Sequence, residues 1–189
     1  MGAPLTLPRH KLSIAEYHRM GIAGVLHEDS RVELIEGELI DMSPIGSQHA
    51  SVVTTLTELL VSQLRSMAIV MSQNPISLPP DNEPQPDIAV LKMRTDRYRN
   101  ALPSAADTLL IIEVADSTFE YDREIKLPLY ARYGIPEVWL VDLHNAKLDV
   151  YREPGSKGYR KLLQPARQET VSPALIAEAQ VPLSQIWPT

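Results

Sequence analysis

Two short aliphatic runs, Ile88-Ala89-Val90-Leu91 and Leu109-Leu110-Ile111-Ile112, each adjoin an acid, with Asp87 ahead of the first and Glu113 behind the second. Runs this short and this rich in branched residues read as buried strands, over 86–91 and 108–114. Upstream, Ser13-Ile14-Ala15-Glu16 is a capping box that predicts a short helix to about Met20. Residues 32–42 read as a hairpin turning at Glu36-Gly37, with Leu34 facing Leu39. Val53, Leu56, Leu60 and Leu64 make a helical stripe over 49–65. The threonines and valines there are poor helix formers, so packing must hold that helix.

Residues 69–72 and 75–78 pattern as short strands, and the proline-rich stretch 79–84 as a loop. The polar segment 94–106 predicts a mobile connection. A helix is expected over 122–134, with Ile125, Leu129 and Tyr133 inward. Pro128 should kink it or move its start to about Lys126. Strand 137–143 should pair back onto 147–152 through His144-Asn145-Ala146, and the tail 171–187, alternating proline with aliphatics, should strap onto the sheet. The pattern as a whole predicts an α/β (or α+β) fold, a mixed β-sheet flanked by helices. One domain is expected over 1–189, with a helix and hairpin at 13–42, a core at 49–152 and a strap at 159–187.

With 189 residues, 44% of them hydrophobic, the chain is long enough for a full core. The absence of cysteine excludes disulfides, thiolate metal sites and a cysteine nucleophile, and fits a reducing, cytoplasmic setting. A formal charge of −6 argues against a protein coated in positive charge for nucleic-acid binding. It leaves room for a nuclease, because a bound metal and local cations set the field at the substrate. The local cations are Lys92 to Arg99, directly after the Asp87 strand, and Lys157 to Lys161. No apolar run reaches the roughly 20 residues of a membrane span. Met1 to Thr6 matches a loose acylation pattern, but Pro4 and the lack of a polybasic neighbour argue against it.

The chemistry rests on the two acids. A carboxylate beside a buried strand is costly unless a cation or strong hydrogen bonds receive it. Glu113 lies at the C-terminal end of its strand, where open α/β sheets bind ligands. Asp87 and Glu113 can share Mg²⁺ (or Mn²⁺) while leaving positions for substrate oxygens, and a lysine such as Lys126 can stabilise charge developing on a phosphate. None of the five histidines forms a pair at helical zinc spacing, and no phosphate-binding glycine loop is present. Aromatic residues make up 5% of the chain, too few to suggest a sugar-binding platform.

Several blocks in order resemble the Uma2 (DUF820) family of the PD-(D/E)XK nuclease superfamily. They are Val32 to Leu39, His49, Pro86-Asp87-Ile88-Ala89-Val90, Ile112-Glu113-Val114-Ala115-Asp116-Ser117, Tyr121 to Lys126, and Tyr130 to Asp142. The resemblance implies the restriction-endonuclease-like fold and a metal-dependent endonuclease acting on DNA, with a homodimer as a plausible assembly. By that resemblance Asp87 and Glu113 are the motif acids and metal ligands, and Glu33 and His49 complete the site. The superfamily commonly has a lysine two residues after the second acid, but Ala115 stands there. In Uma2-like chains the lysine has moved to the next helix, which here implies Lys126. The displaced lysine and low positive charge leave a second reading open, a catalytically inactive nuclease fold kept as a binding or assembly module.

Overall fold

The computed structural model describes residues 8–27 and 29–187, so the acylation-like segment Met1 to Thr6 lies outside the described residues. Ser13 caps α1 (Ile14–Ile22) through the reciprocal box with Glu16. β1 (Val32–Ile35) and β2 (Glu38–Asp41) form the hairpin, with Leu34 opposite Leu39. Glu36 and Gly37 both take positive φ, 49° and 73°, as a tight two-residue turn demands. A Cβ at position 37 would stand 2.7 Å from Lys11 Cβ, so glycine is required for space as well as for conformation.

α2 (Ser47–Leu64) starts slightly earlier than its stripe predicts. It buries Val52, Val53, Leu56, Leu60 and Leu64. Each such burial is worth roughly 1.5–3 kcal/mol, against propensity costs below about 0.7 kcal/mol per residue. Packing wins. The sheet contains β3 (Ala68–Ser72), β4 (Ile88–Lys92), β5 (Thr108–Ala115), β6 (Glu137–Asp142), β7 (Lys147–Gly155) and β8 (Gly158–Leu163), side by side in that order. Neighbours are antiparallel except β5 and β6. The connection between those two holds α3 (Phe119–Tyr121), a π-helical turn (Asp122–Lys126) and α4 (Leu127–Arg132). Among the described residues, no helix is long and apolar enough to cross a membrane.

The two-residue period sorts side chains between the faces of this sheet. Ile88, Val90, Leu110, Ile112, Val114, Trp139 and Val141 pack against α2 and the tail. Ala89, Leu91, Ile111 and Val138 pack against Leu129, Tyr130 and Ile135 on the other face. The same parity turns Glu113 to the α4 side. Since β4 and β5 pair Ile88 with Ile112, one further step of the register brings Asp87 level with Glu113.

Several expectations need correction. Residues 75–78 form isolated bridges, Ser77 to Ser104 and Leu78 to Asn82, because the N–H groups of Ile76, Ser77 and Leu78 donate to three different places, the carbonyls of Pro84, Pro103 and Asn82, and no single strand runs alongside. β8 is unforeseen, since its half-exposed edge position leaves no apolar alternation to read. The 94–106 connection is tied down: Tyr98 is buried and donates to the Lys92 carbonyl at 2.8 Å, and Arg94 forks onto Asp96. Ile125 is exposed instead of facing inward. Pro128 cannot donate to the Glu124 carbonyl and its ring crowds that oxygen, and the wider turn just before it shifts the inward stripe to Asp122, Lys126 and Tyr130.

The tail does fold onto the sheet, though as its own small ladder of β9 (Thr170–Val171) and β10 (Val181–Pro182). It is anchored at Glu137, whose side chain is fully buried. That carboxylate accepts from the Trp139 indole at 2.7 Å, from Arg152 at 2.8 and 3.0 Å, and from the Ala174 backbone N–H at 2.5 Å. Glu137→Ala strands these donors, so a loss on the order of 3–5 kcal/mol is expected in urea denaturation, with a smaller loss for Glu137→Gln.

Candidate active site

At the end of the sheet where β4 begins and β5 ends, a cavity of about 340 Å³ opens between the β1–β2 hairpin, the start of α2 and the α3 segment. Strand register supplies its floor. Asp87 precedes β4 and points its carboxylate across to β5, where Oδ2 accepts from the Val114 backbone N–H at 2.9 Å. Its own N–H lies 3.4 Å from Glu113 Oε2. On the other side His49, in the first turn of α2, places Nε2 3.0 Å from Asp87 Oδ1. The hydrogen bond to Asp87 raises the His49 pKa against the opposing effect of burial. Among the described residues its buried Nδ1 has no hydrogen-bond partner.

The second half of the floor comes from the helical connection. Lys126 is almost fully buried, with Nζ 2.8 Å from Glu113 Oε1 and 3.3 Å from Glu33 Oε2. Burial opposes its charge, but Glu113 and, behind it, Glu33 and Asp122 outweigh that and hold its pKa well above the ordinary lysine value. Burial pushes the Glu113 carboxyl up to about 8, with Lys126 pulling the other way. Tyr130, buried beneath, donates to the same Glu113 Oε1 at 2.6 Å. That oxygen therefore has two donors, whereas among the described residues Oε2 has only the long Asp87 contact. Glu33 is held by the Tyr121 hydroxyl and the Gln85 backbone N–H, each at 3.1 Å.

Asp87, Glu113, Lys126, Glu33 and His49, the five residues singled out from the sequence, thus line one cavity. Asp122, Tyr121 and Tyr130 were missed. The spacing Asp122, Lys126, Tyr130 could have signalled them as a single helical stripe, had the π turn been foreseen. The two basic segments do not join the site. β4 runs away from Asp87, and β7 turns into β8 at the same distant end, so Lys92 to Arg99 and Lys157 to Lys161 sit at the opposite end of the sheet.

The cavity is strongly acidic. Glu33, Asp41, Asp87, Glu113, Asp116 and Asp122 line it against only Arg31 and Lys126, with His49 as a further potential cation. Hard carboxylate oxygens in an electronegative cavity suit a divalent cation such as Mg²⁺. Among the described residues no three His, Cys, Asp or Glu side chains make a ready metal cluster. Asp87 and Glu113 could therefore hold such an ion only with water or substrate oxygens completing its shell, which is how Mg²⁺ is commonly bound.

Residues 14–184 match the Uma2 family model, described as "Putative restriction endonuclease". The chain belongs to the Uma2 family. It is also similar in structure to a DUF820 protein from Anabaena variabilis described as a "putative nuclease", with a TM-score of 0.74 at 16% identity, covering 93% of this chain and 97% of that one. At that identity the likeness carries the fold, a mixed sheet flanked by helices. No curated protein matches. In this Uma2 protein the position two residues past Glu113 is Ala115, fully buried on the same face of β5 but with no side chain to reach the carboxylate, while Lys126 reaches Glu113 from the helix.

Asp122 offers a test of the electrostatics. Burial raises its pKa to about 6, with Lys126 opposing and the Thr118 hydroxyl bonded to Oδ2 at 2.7 Å. A carboxyl whose folded pKa lies above its unfolded value costs stability once ionised. The cost is absent below the unfolded pKa near 4, grows as pH rises, and is complete above the folded pKa near 6. Asp122→Asn keeps an acceptor for Thr118, so it should stabilise the protein by up to about 3 kcal/mol above pH 7. Paired thermal melts should show the gain vanish by about pH 4.

Proposed function

We propose that this Uma2 protein is an endonuclease that hydrolyses DNA phosphodiester bonds with a divalent metal, Mg²⁺ or Mn²⁺. The observation that carries this reading is the meeting of Asp87, Glu113 and Lys126 on one cavity floor, although the three come from two strands and a separate helix. The family description supports nuclease chemistry, and restriction-endonuclease-like families generally use divalent metals.

Asp87 and Glu113 would hold the metal, which when bound would neutralise phosphate charge and acidify water for attack. The chain's own groups do the rest. Lys126, kept cationic by its carboxylate neighbours, is placed to offset negative charge building on the phosphorus oxygens. Glu33 shares that ammonium and so sets its position. His49 fixes Asp87 Oδ1 from the side and can exchange a proton with solvent in the cavity. Tyr130 fixes Glu113 from below, leaving Oε2 for the cation.

A second reading, a nuclease fold kept for binding or assembly, draws on the closed state of the network: Lys126 is already engaged by two carboxylates. Supercoiled plasmid decides between them. Nicking that requires Mg²⁺ and falls by at least about 10³-fold in both Asp87→Ala and Lys126→Met supports the enzyme. Metal-independent cutting, or cutting that survives Asp87→Ala, rejects it. No nicking by a folded protein that still binds DNA favours the module.

Tyr130→Phe removes one donor from Glu113 while keeping the ring in place. It should weaken Mn²⁺ binding, followed by electron paramagnetic resonance, about tenfold, the equivalent of one charge-assisted hydrogen bond. Unchanged binding would show that the hydroxyl serves packing alone.

A further inference from the structure

The α3 segment has two sides. Its inner side, Thr118, Tyr121 and Asp122, walls the catalytic cavity, while Phe119 and Arg123 on its outer side wall a second concavity of about 930 Å³. This groove lies at the same end of the sheet. Ala115 on β5 is level with Asp142 on β6, and the turn from Asp142 into β7 forms part of its rim. One helical segment therefore separates the two hollows.

Their electrostatics differ. The catalytic cavity has six carboxylates and two fixed cations, whereas the outer groove has Arg123, Lys147 and Arg167 against Asp142 and Asp149. Both groove carboxylates are engaged, Asp142 by the Asn145 backbone and side-chain N–H groups and Asp149 by Gln164. Arg123 is paired to Glu120 and Glu124. Arg167 is held instead by two neutral carbonyls, Ala146 at 3.1 Å and Asn145 at 3.3 Å, so its guanidinium is positioned with its charge uncancelled. Lys147 is exposed, and among the described residues it forms no ion pair. Three partly exposed aromatic rings also line the groove as it passes over the end of the sheet, Phe119 on α3, Tyr151 packed on the α4 face and Trp187 packed on the tail face. Trp187 packs partly against the core while its exposed part lines the groove, and among the described residues its buried indole N–H has no partner.

We infer that this groove binds an unpaired stretch of the nucleic-acid strand that enters the catalytic cavity, with Lys147 and Arg167 on phosphates and Trp187 and Tyr151 against bases. Cations spaced among aromatic faces are what single-strand binding requires, and the faces reach bases only where the strand is unstacked. The inference rests on the nuclease reading and narrows its substrate to DNA with a single-stranded portion beside the scissile bond.

The groove contains its own reporter. Of the two tryptophans, Trp139 is fully buried, so quenching of fluorescence by bases reports on Trp187. The full chain carrying Asp87→Ala, which prevents cleavage, is titrated at low salt with a dT12 strand and with the same strand annealed to dA12. Quenching by dT12, weakened at least about tenfold in Lys147→Ala/Arg167→Ala and abolished in Trp187→Phe, supports the inference. Absence of quenching, equal quenching by the duplex, or unchanged affinity in the double variant overturns it. Both altered cations are exposed, and thermal melts of the variants check that the fold is intact. The nuclease reading is tested separately by plasmid nicking. A chain that nicks but shows no quenching loses the groove alone, whereas one that is quenched but never nicks keeps the groove and loses the enzyme.

Discussion

A single ammonium group sealed among carboxylates organises this molecule's working end. Lys126 bridges Glu113 from the sheet and Glu33 from the hairpin, so strand, hairpin and helix meet at one nitrogen. Removing water from that many charges is expensive, and the arrangement survives because each carboxylate also receives neutral donors: Tyr130 on Glu113, Tyr121 and the Gln85 N–H on Glu33. Such an interior spends stability on a fixed geometry. Its excess of negative charge is the reason a cation, rather than another protein group, is the natural complement to the cavity.

The backbone beneath explains why the geometry is accurate. Asp87 and Glu113 meet through strand register, which a slip of one residue would destroy by turning the slipped strand's acid to the opposite face. The register is held in turn by Ile88, Val90, Leu110 and Ile112, buried against α2. Core packing and site geometry are thus the same constraint seen from two sides of the sheet. The Glu137 node does the corresponding work at the other end of β6, tying β7 and the tail to the same strands.

Much of this was legible in the chain. The hairpin at Glu36-Gly37, the α2 stripe and the two acid-flanked strands all follow from local periodicity and turn chemistry, and the structure has them. What periodicity could not reach was anything set by an irregular backbone. Of the residues expected to face inward from the 122–134 helix, Leu129 is buried and Tyr133 half-buried but Ile125 is exposed, because a uniform 3.6-residue turn does not hold before Pro128. Tyr130 is fully buried, and its hydroxyl bond to Glu113 depends on a partner seventeen residues away, out of reach of local periodicity. The basic stretch after Asp87 was tempting by proximity in sequence, yet an extended strand of five residues carries the chain roughly 17 Å away from the site.

The π turn at Asp122 to Lys126 also sets the aim of the helix it precedes. A turn of this kind is an α-helix that has accommodated one surplus residue, so the helix on either side stays intact while its two halves are rotated by about 100° relative to each other. Bringing a lysine to Glu113 from a helix instead of from the strand calls for such an adjustment of phase, because the same helix must keep Leu129 and Tyr130 packed on the sheet. With the wide turn in place Lys126 faces Glu113 while the packed side of α4 keeps its seat on the sheet.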